Sequence, residues 1–264
     1  MTDSTAEIFA ACRAESRAAL IGYLPCGYPT VTKSRDSLRA IVDGGCDLVE
    51  VGIAYSDPMM DGPTIQEATA EALANGVRVR DVFDAVQTVS DAGGKAVVMT
   101  YWNPVLQYGV EAFARDLAAA GGLGLITPDL IPEEAEDWIA ASDAHGLDRT
   151  FLVAPSSTEE RLARTVDACR GFVYAASTMG VTGARQAVSS AAPELVTRVK
   201  AHSDIAVGVG LGVRSGAQAA EIAAFADGVI VGSALVSAAG EGVDALGALT
   251  RELADGVRSV GVAS

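Results

Sequence analysis

Short apolar runs alternate with amphipathic segments along nearly the whole chain. Eight runs read as strands, at residues 19–24, 48–53, 96–101, 123–126, 151–154, 172–176, 205–208 and 229–231. Between them apolar positions recur at helical spacing over 34–42, 82–92, 112–120, 133–144, 158–169, 193–201 and 218–225. Strands that are apolar without alternation are buried on both faces, as in a parallel sheet covered by helices. Eight such units predict an α/β fold of the (β/α)8 type, a TIM barrel. An open, doubly wound sheet shares the alternation, and the placement of unusual residues separates the two. Tyr23 and Pro25 close the first strand, Glu50 and Asp61 lie in and after the second, Tyr101 ends the third, and Pro128 and Asp129 follow the fourth. A barrel keeps its chemistry at those C-terminal ends. The connection after the second strand is the longest and holds an extra helix at 67–75; a second enlarged loop follows the sixth strand.

Length and composition add little that changes this picture. The chain has 264 residues, half of them hydrophobic, with no linker-like stretch or charge block, so a single domain over 1–264 is expected. The start of the chain lacks a basic segment followed by an apolar one, and no run approaches the roughly 20 residues of a membrane span, so a soluble, cytoplasmic protein is expected.

Charge and residue inventory exclude more. A net charge of −15 repels polyanions, which makes nucleic acid and anionic membranes poor partners. Cys12, Cys26, Cys46 and Cys169 are scattered without metal-ligand spacing, and the only histidines, His145 and His202, lie on helix-like segments. No metal site, disulfide frame or Ser/His/Asp triad is expected. Chemistry then falls to carboxylates, hydroxyls and backbone groups.

Two carboxylates stand out. Glu50 interrupts the apolar run 48–53, and a carboxylate in a buried strand is expensive without a partner or a task. Asp61 follows in a loop bounded by Pro58 and Pro63. On these residues alone, Glu50 also fits a buried partner of an arginine, and Asp61 a turn shaped with Gly62. A second constellation lies late in the chain, where Gly208, Gly210 and Gly212 follow the seventh strand and Gly232 and Ser233 the eighth, just ahead of a helical run. Glycines admit an anion to the backbone, and a helix start supplies N–H donors, so a phosphate site is expected. The spacing does not match a dinucleotide fingerprint. The segment 177–190, rich in small and hydroxyl residues, reads as a mobile cover.

Glu50 to Ile53, Tyr55 to Pro58, Asp61 to Gln66, Tyr174, Gly180 to Gly183, Gly210 to Gly212 and Gly232 with Ser233, in that order, closely resemble the tryptophan synthase alpha subunit family. The resemblance implies a lyase that cleaves indole-3-glycerol phosphate into indole and glyceraldehyde 3-phosphate. It places the catalytic acid/base on Glu50 and the essential loop aspartate on Asp61. Substrate contacts fall on Tyr23, Tyr101, Asp129, Tyr174 and Thr182, and phosphate contacts on Gly183, Gly210, Gly212, Gly232 and Ser233. It implies no cofactor in this chain, and a pyridoxal-phosphate-dependent beta subunit as partner in an αββα assembly. The family more often carries Phe at Tyr23 and Pro at Ala54, and the latter change is expected to loosen the loop bearing Asp61. A non-catalytic activator of the beta subunit would lack a carboxylate, and indole-3-glycerol-phosphate synthase would carry a strand lysine; this chain shows neither sign.

Overall fold

The computed structural model describes residues 4–176, 191–210 and 212–260. Parallel strands are ordered β5-β4-β3-β2-β1-β9-β8-β7-β6. They are β1 Ala19–Pro25, β2 Leu48–Gly52, β3 Ala96–Met99, β4 Gly124–Ile126, β5 Asp148–Thr150, β6 Leu152–Val153, β7 Phe172–Ala176, β8 Ala206–Gly210 and β9 Gly228–Val231. The two ends of this order, β5 and β6, are separated only by Phe151, so the sheet closes into a barrel through the chain itself.

The fifth stave departs from the expected run 151–154. Its first half pairs with β4 through Asp148 to Thr150, and its second half pairs with β7 through Leu152 and Val153. Asp148, Arg149 and Thr150 look like a polar loop in sequence. They extend as a strand because Asp148 finds its partners in tertiary structure: Ser4 Oγ donates to it at 2.9 Å, and the Thr5 N–H and hydroxyl each donate at 2.7 Å.

Along each stave alternate side chains point to opposite faces. Val49 and Val51 pack outward under the helices, while Ile21, Leu48, Val97, Phe172 and Ile230 fill the barrel axis. The lower end is plugged by α1 (Thr5–Ala14), whose Phe9 ring lies 5.2 Å from Phe172. The amphipathic pattern of α1 is weak, with Thr5, Phe9 and Cys12 its buried residues, and periodicity did not mark it.

The outer helices include α2 Val31–Asp43, α3 Pro63–Ala74, α4 Asp81–Asp91, α5 Trp102–Tyr108, α6 Val110–Ala119, α7 Glu136–His145, α8 Glu159–Ala168, α9 Ala191–Lys200, α10 Gly216–Ala223, α11 Ser233–Glu241 and α12 Val243–Arg258. The long connection after β2 holds α3 and α4, as expected. Sequence pattern did not single out α5 or α12. His202 lies just past α9 rather than on a helix, paired with Glu159 at 2.9 Å. The enlarged loop after the sixth stave lies outside the described residues. No described helix is long and apolar enough to cross a membrane.

Candidate active site

β2 carries the first carboxylate because its parity is set by burial. Val49 and Val51 face the helices, so Leu48 and Glu50 face the axis. Glu50 is 1% exposed, and neither carboxylate oxygen has a hydrogen-bond partner among the described residues. Among the described residues no arginine pairs with it. Burial alone pushes its carboxyl up to about 8, so the group is protonated at neutral pH.

Two phenols share that layer. Tyr23 on β1 is in register with Glu50, and Tyr174 on β7 is two residues beyond the axis-filling Phe172. Each lies across a glycine of the neighbouring stave. A Cβ at Gly52 would strike the Tyr23 hydroxyl, and one at Gly210 would come within 2.5 Å of the Tyr174 hydroxyl. Both phenols are driven well above their ordinary range by burial first and then by the carboxylates, so both remain neutral donors.

Asp61 arrives from the loop ahead of α3, a helix that starts with Pro63 in its first turn. Burial raises its carboxyl, and a hydrogen bond from the Tyr101 hydroxyl opposes that rise. The same hydroxyl accepts from the Met60 N–H at 2.8 Å. Tyr101 is itself held by the start of α5. The Asp129 carboxylate accepts from the Trp102 N–H at 2.9 and 3.1 Å, one residue further on. Asp129 therefore spends both oxygens on backbone, as a brace for Tyr101. Ala54 packs half-buried against the outer core at the start of the loop.

The glycine constellation assembles at the ends of β8 and β9. Gly212 has φ +66°, a left-handed conformation that favours glycine. Gly232 caps α11 with no side-chain hydrogen bond, whereas α10 is capped by Ser215, whose hydroxyl accepts from the Gln218 N–H at 3.3 Å. The first turn of α11 thus presents backbone N–H groups at the barrel mouth. Thr182 and Gly183 lie outside the described residues.

The profile of the family described as tryptophan synthase alpha chain matches residues 9–259. The tryptophan synthase alpha chain of Nocardia farcinica is 73% identical over 98% of this chain and 97% of its own. That of Mycobacteroides abscessus is 74% identical over 96% of each. This chain belongs to the tryptophan synthase alpha chain family. A solved structure of Mycobacterium tuberculosis tryptophan synthase superposes with a TM-score of 0.95 at 70% identity, covering 98% of this chain and 99% of that one. A mutant alpha subunit from Pyrococcus furiosus gives 0.82 at 34% identity, covering 90% and 98%. As a member of this family, the chain is a carbon–carbon lyase that cleaves indole-3-glycerol phosphate and passes indole to a beta subunit.

Sequence reasoning missed how the Asp61 loop is braced. Tyr55 packs on Tyr101 with ring centroids 5.5 Å apart, and its hydroxyl accepts from Asn103 at 3.2 Å. Gln66 returns from α3 to donate to the Asp61 carbonyl at 2.8 Å. The only signal was the clustering of aromatic and amide residues in the segments that follow β2 and β3.

Proposed function

We propose that Glu50 moves both protons of the cleavage and that Asp61 supports the charge that develops between them. The observation that carries this reading is a carboxyl, buried without a partner among the described residues, that faces the barrel axis from β2. Protonated Glu50 donates to indole C3, which makes the ring a cation with its positive charge shared by the nitrogen. Asp61 accepts from the indole N–H and stabilises that cation. The bond from C3 to the side chain then breaks, its electrons return to the ring, and Glu50, now a carboxylate, takes the proton of the side-chain hydroxyl as the aldehyde forms. Glu50 begins and ends protonated, which its raised proton affinity favours.

Tyr23 and Tyr174 wall the indole subsite, with Tyr101 at its edge, while Asp129 acts through Tyr101. Gly210, Gly212, Gly232 and Ser233, joined by Gly183, receive the phosphate, and Thr182 meets the Asp61 loop from the cover segment. A single barrel domain over 1–264 carries all of these groups. The beta subunit is a partner that family membership implies. The αββα stoichiometry and a pyridoxal phosphate held by the beta subunit belong to the proposal. Met59, 73% exposed on the Asp61 loop, and Leu106, 49% exposed on α5, offer apolar surface at the mouth for that docking. Docking there would order the loop.

The test is indole release from indole-3-glycerol phosphate by Asp61→Asn, with and without beta subunit, beside calorimetric binding of indole-propanol phosphate. We expect a loss of at least about 100-fold in turnover with analogue binding retained. Turnover above about a tenth of the parent's would remove Asp61 from the mechanism. The unsubstituted chain should release indole faster with the beta subunit, and equal rates would break the coupling.

A further inference from the structure

The Tyr23 ring leans off its own strand and onto the next one. Its near end meets the Gly232 corner, where a built Cβ would lie 3.7 Å from Cδ1 and 3.8 Å from the Tyr23 Cβ. Its far end lies on β2, where a Cβ on Gly52 would strike the hydroxyl and come within 2.6 Å of Cε2 and 2.7 Å of Cζ. Gly52 and Glu50 stand two apart on one strand and share its axis face. The hydroxyl therefore lies on the face that carries the Glu50 side chain, one same-face position nearer the mouth. Same-face positions are about 6.6 Å apart along a strand, and strand side chains lean along its direction, so a glutamate turned toward the mouth brings its carboxylate up to a hydroxyl held there. Tyr174 leans elsewhere. Its hydroxyl lies over Gly210 on β8, which is separated from β2 by β1 and β9.

The ionisable groups gathered around Glu50 are Tyr23 from β1, Tyr174 from β7, Asp61 from the loop after β2 and Tyr101 from the start of α5. None of these is a cation, so a hydroxyl is what they offer to a carboxylate at position 50. While Glu50 is protonated it goes without such support, and neither of its oxygens has a partner among the described residues. Once its proton passes to indole C3 it becomes a buried carboxylate, and that charge is costly without a donor. A hydroxyl turns to whichever acceptor is offered, and burial keeps the Tyr23 phenol protonated and able to donate.

We propose that the Tyr23 hydroxyl is a positioning group for Glu50, donating to its carboxylate from over Gly52 as the proton leaves and so easing transfer to the ring. This role deepens the acid/base task given to Glu50 above and rests on it. Tyr23→Phe installs the residue that the family more often carries, which keeps the ring and removes only the donor.

The experiment compares the parent with Tyr23→Phe and Glu50→Gln, each in complex with the beta subunit. It follows kcat/KM for indole release across about pH 6 to 9.5 and, without substrate, titrates the infrared carboxyl band that Glu50→Gln removes. A donor to the charged form lowers a carboxyl's pKa, so its loss raises that pKa. In Tyr23→Phe the infrared titration and the alkaline limb should both move up by about one pH unit, and kcat should fall about tenfold. Affinity for indole-propanol phosphate should stay within about twofold, because the ring is unchanged. An infrared titration that does not move overturns the proposal, whatever the rate. So does a loss of rate explained wholly by weaker analogue binding, since Tyr23 is then a pocket wall. If Glu50→Gln keeps more than about a tenth of the parent turnover, the acid/base reading fails and the proposal with it. If that variant is silent while the band in Tyr23→Phe stays unmoved, only the proposal fails.

Discussion

The two ends of the barrel bury carboxylates in opposite ways. At the floor, Asp148 collects three hydrogen bonds from Ser4 and Thr5 that pin α1 beneath the barrel. Asp227, just ahead of β9, accepts from the Val207 N–H at 2.9 Å and is flanked by Arg13 at 3.3 Å and Lys200 at 3.2 Å. At the mouth Glu50, as deeply buried as either, has no partner among the described residues. A buried acid that stabilises a fold is saturated with donors, because each missing bond costs free energy. An acid that must exchange protons with a substrate is left unsaturated, and the stability lost there is what keeps its proton available.

Neutralising the mouth acid breaks this comparison most sharply. Glu50→Gln keeps size and shape but relays no proton, so indole release should fall by about 100-fold to 10,000-fold while the melting temperature holds or rises. A destabilised variant with modest kinetic loss would place Glu50 with the floor acids.

Gly232→Asp tests the anion corner of the same end. A Cβ there meets its neighbours at 3.6 to 3.8 Å, ordinary contact, and an aspartate caps a helix well, so folding should be unharmed. The added charge would face the phosphate, and analogue affinity measured by calorimetry should drop on the order of 100-fold. Unchanged affinity would remove α11 from the phosphate site.

Asp148→Ala asks the converse at the floor. Losing these bonds and leaving Ser4 and Thr5 short of an acceptor should cost about 2 to 4 kcal/mol in denaturant unfolding, with kcat within about twofold of the parent. A selective loss of kcat would contradict the division between the ends.

The last contrast is in pH dependence. The Glu50 carboxyl is raised in the folded state from 4.5 to about 8. Between those values the folded chain holds a proton that the unfolded chain has released, so this group's contribution to stability declines as pH rises through that window. Glu50→Gln should flatten that part of the stability profile, and the alkaline limb of kcat/KM in the parent should fall near pH 8. A parent and variant with superimposable stability profiles would show that Glu50 titrates normally.

The legibility of this protein followed the range of the forces involved. The apolar runs marked most of the staves because a parallel strand buried on both faces has little choice of residue. The fifth stave was misread at its polar half, because Asp148 becomes a strand residue only through Ser4 and Thr5, distant in the chain. Helix α1 went unmarked because three buried residues suffice to plug a floor. The carboxylates and glycines of the site were visible as residue types that a buried strand or a plain turn does not need. The bracing of Asp61 by Tyr101, Tyr55 and Asn103, and of Tyr101 by Asp129, joins segments that follow three different staves, and no local pattern reports it.

By itself the sequence determined the alternation of strands and helices, the length of the connection after β2, and which residues were chemically out of place. Those properties rest on side-chain burial and backbone freedom, which act locally. Only the tertiary structure decided that Asp148 and Asp227 are satisfied while Glu50 is not, that Tyr23 spans from Gly232 to Gly52, and that Asp129 spends its carboxylate on a helix start. A hydrogen bond depends on where its partner stands to within a fraction of an ångström, and closure of the barrel sets that position.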